Sequence, residues 1–205
     1  MRAFLFCTLI LHIFGRLPLS GGDSWQPFDP AVISRLSVDD VPRSLSICQG
    51  GAVWLAYDLE HARIIKCWQA DKSGQGLQRK AFVTQSKGKT LWKPADTDAE
   101  KWRFLDNRDA DLVWRYLGCK DQRTHILLTW EVRHQEHSWQ VEERVPLAKM
   151  EDGRIIRELR VSGLKNADKL VPPELHSPAW KLQTLDSQAV TAIASSDWHQ
   201  LILKP

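Results

Sequence analysis

This chain of 205 residues has no apolar run long enough to cross a bilayer, no excess charge of one sign and few cysteines. Its longest apolar run, AFLFCTLILHIF, has 12 residues and is broken only by His12, whereas a membrane-spanning helix needs about 20. The 28 basic residues nearly balance the 25 acidic ones. Without a cluster of Lys and Arg to release phosphate counterions, the chain is a poor partner for nucleic acid or an anionic membrane surface. Neither Cys-x-x-Cys-His for haem attachment nor a zinc-type cysteine pair occurs. Gly-x-Ser-x-Gly, Gly-x-Gly-x-x-Gly, a P-loop and His-Glu-x-x-His are missing too, so no familiar motif marks a reaction or a cofactor. No internal repeat or low-complexity segment is present, which argues against a propeller.

The amino terminus carries a targeting signal instead of a domain. Arg2, the apolar run and then Ser20-Gly21-Gly22 follow the order of a secretory signal peptide, with small residues at the cleavage site. Residues 1–22 are therefore expected to be a signal peptide, and the mature chain to be periplasmic or secreted with no membrane span left. Cys7 follows bulky Phe6 and does not fit a lipidation site. Cleavage removes Arg2 and Arg16 and no acid, leaving a net charge of +1. Such a mixed surface suits a soluble exported protein.

Residues 23–43 read as a lead-in. Asp29 as N-cap and Pro30 at the first helical position predict a short helix over AVISRLS. From Ser44 onward the chain reads as strands. SLSIC, AVWLAY and ARIIKCW are separated by Gln49-Gly50-Gly51 and by Asp58-Leu59-Glu60-His61, the pattern of a three-stranded meander. Leu77–Thr84 and Lys89–Trp92 follow as two strands around Ser86-Lys87-Gly88, and the acidic stretch 94–100 as a surface loop. Lys101–Leu105 and Asp111–Gly118 flank a turn, and LVWRYLG has apolar residues on both faces of its pleat, as in a strand at least partly covered on both sides. Thr124–His134 with Ser138–Pro146 forms the clearest hairpin. Ile126, Leu128, Trp130 and Val132 share one face with Trp139, Val141 and Val145, opposite a wet face. Arg154–Ser162 is rich in β-branched residues and bounded by glycines, and three strands end the chain at Trp180–Leu185, Ala189–Ile193 and Trp198–Lys204. The fold class is all-β, a two-sheet antiparallel β-sandwich of about a dozen short strands over residues 44–205, with a closed barrel as second choice.

Three cysteines remain in an oxidising compartment, Cys48, Cys67 and Cys119. In the meander, Cys48 and Cys67 stand two strand spacings apart, about 9.6 Å, beyond the roughly 7 Å that a disulfide spans. Cys119 could pair with either one, or all three could be buried thiols; a chain this long builds a core without staples, which favours thiols.

Candidate sites are few. His134-Gln135-Glu136-His137 places two imidazoles and a carboxylate at a hairpin tip, one short of the ligands that zinc usually requires. Glycosidic hydrolysis needs two carboxylates facing across roughly 5–9 Å, which no local pattern shows. All ten tryptophans lie after the leader, more than a core of five or six needs, so some are candidates for a ligand platform. Trp54 and Trp68, on facing strands, are the first choice. For this pair, however, burial in the core is the leading reading, and the platform is the rival one. Lys66, Tyr57 and Asp58 of the same hairpin complete the candidate ligand-binding set.

Arg43-Ser44, Trp54-Leu55-Ala56-Tyr57-Asp58, Lys66-Cys67-Trp68 and Arg157 through Val161 to Gly163 resemble the motifs of an uncharacterised secreted bacterial β-sandwich domain. That domain accompanies c-type cytochrome and sugar-dehydrogenase-like propeller modules. The resemblance implies an extracytoplasmic β-sandwich and, since no such module is attached here, a secreted redox protein as partner. It carries no catalytic residues over. The leading expectation is a non-catalytic binding module with an extracellular glycan as ligand and no cofactor. A docking domain for secreted redox partners and a carbohydrate-active enzyme are the alternatives.

Overall fold

Runs of β-branched and aromatic residues become strands throughout the computed structural model, which describes residues 33–34, 37–50, 52–72, 74–81, 83–95, 101–107, 110–148, 153–165 and 168–204. One sheet has the order β1-β2-β3-β4-β7, built from β1 (Ile33–Ser34), β2 (Ser44–Gln49), β3 (Val53–Asp58), β4 (Arg63–Ala70) and β7 (Gly88–Trp92). The large sheet has the order β15-β14-β16-β12-β11-β10-β9. Its strands are β9 (Val113–Asp121), β10 (His125–His134), β11 (His137–Pro146), β12 (Ile155–Ser162), β14 (Trp180–Thr184), β15 (Ala189–Val190) and β16 (His199–Leu203). Two further pairs stand apart, β5 (Leu77–Lys80) with β6 (Val83–Ser86), and β8 (Arg103–Phe104) with β13 (Leu170–Val171). Among the described residues every pairing between these strands is antiparallel, and an isolated bridge from Val38 to Thr84 of β6 is parallel. The one helical element among the described residues is the 3₁₀ turn Pro173–His176.

Period-two patterning sets the register of the long hairpin. Val132 faces Trp139, Trp130 faces Val141 and Ile126 faces Val145, and all six are buried. A slip by one residue would expose the whole set, so the pattern admits one register. The main core lies between the two large sheets. Leu45, Ile47, Leu55, Tyr57, Ile64, Cys67 and Trp92 of the smaller sheet face Ile126, Leu128, Trp130, Val141, Leu159 and Leu201 of the larger one. The smaller sheet is apolar on its other side too, where Trp54, Ala56, Trp68, Ala70 and Val38 form a second cluster.

The two sheets cross. The start of β2 lies in a cleft with Trp114–Gly118 of β9, while its last residue, Gln49, donates from Nε2 to the carbonyls of Pro146 and Ile156 at 2.9 and 3.4 Å. One strand of the smaller sheet thus spans from β9 to β12.

Several sequence expectations change. The lead-in helix does not form at Ile33 and Ser34, which pair with Ile47 and Ser46 as a strand; partnering the open edge of β2 outweighs local helix signals. The rest of that helix and the leader lie outside the described residues. Leu77–Thr84 is not one strand. Ala81 turns the chain with a φ of 50°, so β5 and β6 form a hairpin, and β7 pairs with β4 instead. The strand at Val113–Asp121 is not covered on both faces, since Val113 and Leu117 are 59% and 49% exposed at the sheet edge. The three cysteines are free thiols, but only Cys67 is fully buried.

Candidate functional site: an aromatic groove beside the first hairpin turn

Asp58 organises the turn between β3 and β4. Its Oδ1 accepts from the backbone N–H of Glu60 at 3.0 Å, the short loop that Asp makes in turns. Its Oδ2 lies 2.7 Å from His61 Nδ1 and 3.3 Å from Arg63 Nε. Two indoles clamp the same turn from outside. Trp130 Nε1 donates to the Leu59 carbonyl at 3.1 Å, and Trp102 Nε1 donates to the Ala62 carbonyl at 2.7 Å. The Leu59 amide donates to the Arg43 carbonyl at 3.1 Å, tying the turn to the start of β2. Each tie removes a way for the turn to move, so Leu59, Glu60 and His61 are held in place.

Clefts lie on either side of this turn and share Trp114. One, of about 470 Å³, is lined by His61, Lys101, Trp102, Asp111 and Leu112. The other, of about 660 Å³, is lined by Arg43, Leu45, Leu59, Glu60, Tyr116 and Leu117. Trp114 is half-buried and packs against Trp102 with ring centroids 5.2 Å apart. Arg43 and Glu60 pair at 2.8 Å across the second cleft, both well exposed, and such a pair contributes little to stability. The result is a groove with an aromatic floor, a rigid turn standing in it and charged groups at its rim.

The five candidate residues from the sequence do not form one site. Trp54 and Trp68 face each other directly, stacked at 6.0 Å and 14°, because the β-bulge between Ala56 and Tyr57 sets the register. They are 1% and 0% exposed, so neither ring is open to a ligand. The β5–β6 hairpin and its approach cover them. Trp68 Nε1 donates to the Gly76 carbonyl at 2.7 Å, and Gly76 packs against the Trp54 indole. Lys66, on the same face, reaches Asp39 Oδ2 at 3.2 Å and the Ser86 hydroxyl, and so fastens that cover. Asp58 sits in the turn. Tyr57 points the other way, into the main core.

In that core Tyr57 meets the most charged buried cluster among the described residues. Arg157, Glu143 and Glu174 are 0%, 1% and 1% exposed. Arg157 donates from Nε and Nη2 to the two oxygens of Glu143, both at 2.6 Å, and the Tyr57 hydroxyl donates to Glu143 Oε1. Arg157 Nη1 lies 2.9 Å from Glu174 Oε1, near enough for Coulomb attraction without hydrogen-bond alignment. That same oxygen accepts from the Ile64 amide at 3.1 Å. Burial opposes the charge on Arg157, yet the two carboxylates hold its pKa above the ordinary value. Burial and the neighbouring Glu143 push the Tyr57 hydroxyl up. Burial also raises both Cys67 and Cys48, the latter to about 11. These carboxylates share one guanidinium and are closed to solvent, which suits a structural centre better than an acid–base pair.

At the second hairpin tip, His134 Nδ1 lies 3.1 Å from the Asp111 carbonyl and His137 Nε2 lies 2.9 Å from Lys165 Nζ, so the two imidazoles have different partners. Among the described residues no group of three or more His, Cys, Asp or Glu side chains is placed to hold a metal. Likewise, no helix among them is long and apolar enough to cross a membrane.

Sequence reasoning passed over the groove residues, Trp114 above all. The signal was Trp114-Arg115-Tyr116 in an edge strand, which reads the same as a core strand until its neighbours are known. No family model, curated protein or solved structure matches the chain.

Proposed function

We propose that this protein is a non-catalytic binding module that works outside the cytoplasm, with a two-sheet β-sandwich as scaffold and an extended glycan as ligand. The observation that carries this reading is the half-buried Trp114 shared by two clefts of about 470 and 660 Å³. Each falls within the roughly 300–1,000 Å³ usual for small-ligand sites. A flat ring offers an apolar face to the C–H side of a sugar, while Arg43, Glu60, His61 and Asp111 supply donors and acceptors for its hydroxyls. The immobilised turn lowers the ordering cost of binding. The site thus moves from Trp54 and Trp68 to Trp114, and Asp58 supports it through the turn. The leader-like amino terminus supports a location outside the cytoplasm.

Titration of an oligosaccharide panel against the purified protein, followed by tryptophan fluorescence and calorimetry, tests the reading. Binding that falls at least tenfold in Trp114→Ala is expected, with a cooperative melt at a temperature still well above that of the assay, since removing the packed indole costs some stability. Absence of binding across the panel, or affinity indifferent to Trp114→Ala, would overturn it.

A further inference from the structure

Charge is unevenly spread along the aromatic groove. In the cleft of about 470 Å³, Lys101 stands with Asp111, and His61 has Asp58 Oδ2 at 2.7 Å from its Nδ1. The cleft of about 660 Å³ holds Arg43 and Arg115 beside Trp114 and Tyr116, with Glu60 as the one acid among its described lining residues. A second acid stands near Arg115, since its Nη2 lies 2.8 Å from Glu131 Oε2 on β10. Glu131, however, also serves Arg133, whose Nη2 donates to Oε1 at 3.1 Å and lies 3.0 Å from Oε2. Three guanidiniums therefore share two carboxylates, and one positive charge is left over at this cleft.

Both cleft arginines are within reach of a ligand. Their side chains are 76% and 64% exposed, and a guanidinium has five donors, more than one neighbouring acid uses. Arg43 pairs with Glu60 at 2.8 Å, but an ion pair this exposed is weak, and exchanging it for ligand contacts costs little. Arg43 also holds a φ of 50°, a conformation that suits glycine and not a long side chain. An arginine thus stands at the cleft where the backbone favours glycine, and its weak ion pair does not account for it.

We infer that the glycan bound here is acidic, with a uronic-acid unit in the 660 Å³ cleft and Arg43 and Arg115 taking its carboxylate. This inference rests on the glycan reading and specifies its ligand. A carboxylate matches the planar fork of a guanidinium, and its charge strengthens each hydrogen bond it accepts. A neutral sugar exchanges the Arg43–Glu60 contact for hydrogen bonds of ordinary strength. A uronate replaces one charge-assisted contact by another and meets the surplus positive charge as well. Its ring still lies against Trp114, so the same indole serves both kinds of sugar.

Calorimetric titration of the purified full-length protein with uronic-acid tetrasaccharides of several linkages, each beside its carboxyl-reduced neutral counterpart, tests the inference. The acidic form is expected to bind at least about tenfold tighter at low ionic strength. Added salt should narrow that ratio, because it screens exposed charges. Arg43→Gly and Arg115→Gln should each bring the ratio toward one, whereas Trp114→Ala weakens both forms. Arg43→Gly also relieves the positive φ, so its melting temperature should be no lower than that of the parent. Equal affinity for the two forms, a ratio indifferent to salt, or a ratio that survives both arginine substitutions would overturn the inference and leave the glycan reading standing. Binding of neither form by the parent would overturn both.

Discussion

Gly76 has no room for a side chain, and enlarging it tests how the cover over the Trp54–Trp68 stack is built. A Cβ on Gly76 would stand 1.8 Å from Trp54 Nε1 and 2.2 Å from Cδ1 and Cε2, where ordinary contact is 3.4–4 Å. Either the indole or the backbone of Gly76 must retreat. The indole is 1% exposed and stacked on Trp68, so its retreat overpacks a closed cluster, which costs about 1–3 kcal/mol. Retreat of the backbone breaks the bond from Trp68 Nε1 to the Gly76 carbonyl, about 0.5–1.5 kcal/mol more. Gly76→Ala is therefore expected to cost roughly 2–4 kcal/mol, a fall in melting temperature of roughly 5–15 °C for a domain of this size. Near-UV circular dichroism follows the unfolding and reports the stacked indoles directly. Trp54→Phe removes the offending ring edge, so the alanine should cost less in that background, with a coupling of about 1–2 kcal/mol. Gly74→Ala is the control; its Cβ meets nothing within 4 Å, and only its φ of 75° is strained. A melting temperature for Gly76→Ala equal to that of the parent would show that this packing is wrong.

Arg157→Leu leaves Glu143 and Glu174 as buried charges without a cation and should lose about 3–5 kcal/mol in urea unfolding, whereas replacing all three by apolar residues should recover most of that. Against the desolvation of burial, hydrogen bonds from Ser86 and Lys66 hold the Asp39 carboxyl below its ordinary 3.8. A depressed carboxylate contributes stability that is full above its unfolded pKa and is lost as pH falls through the folded one. Melting temperature should therefore drop more steeply below about pH 4 for the parent than for Asp39→Asn; parallel profiles would discount the contribution. With the Cys48 thiol pushed up to about 11, roughly one molecule in a thousand carries its thiolate at about pH 8, so Ellman's reagent should label Cys48 slowly until denaturant is added.

The strands were legible wherever one face is wet. β10 and β11 carry their alternation openly, and the register follows from it. The first meander was legible as well, with its turn chemistry at Asp58. Two similar strands have different fates for one shared reason. AVWLAY and LVWRYLG are both apolar on alternate faces, yet the outer face of β3 is roofed by β5–β6 whereas that of β9 is open. Local pattern gives the two faces of a strand but not what covers each, because the cover is distant in sequence. Glu143 shows the same limit. Its place by period two is the apolar face of β11, with Trp139, Val141 and Val145, but the partners that let a carboxylate stay there, Arg157 and Tyr57, come from strands whose nearness the local pattern does not show.

By itself, then, the sequence determined an antiparallel all-β chain and the pairing of its nearest strands, since these depend on side-chain period and turn residues. Tertiary structure alone decided which tryptophans are closed and which remain open. It brought Tyr57 to Glu143 across 86 residues and Glu174 to Ile64 across 110. It also set Trp114 between two clefts beside a turn from the other sheet. The physical reason is range. Backbone periodicity acts over a few residues, whereas burial depends on every surface that folding brings near, and only the crossing of the two sheets fixes which surfaces those are.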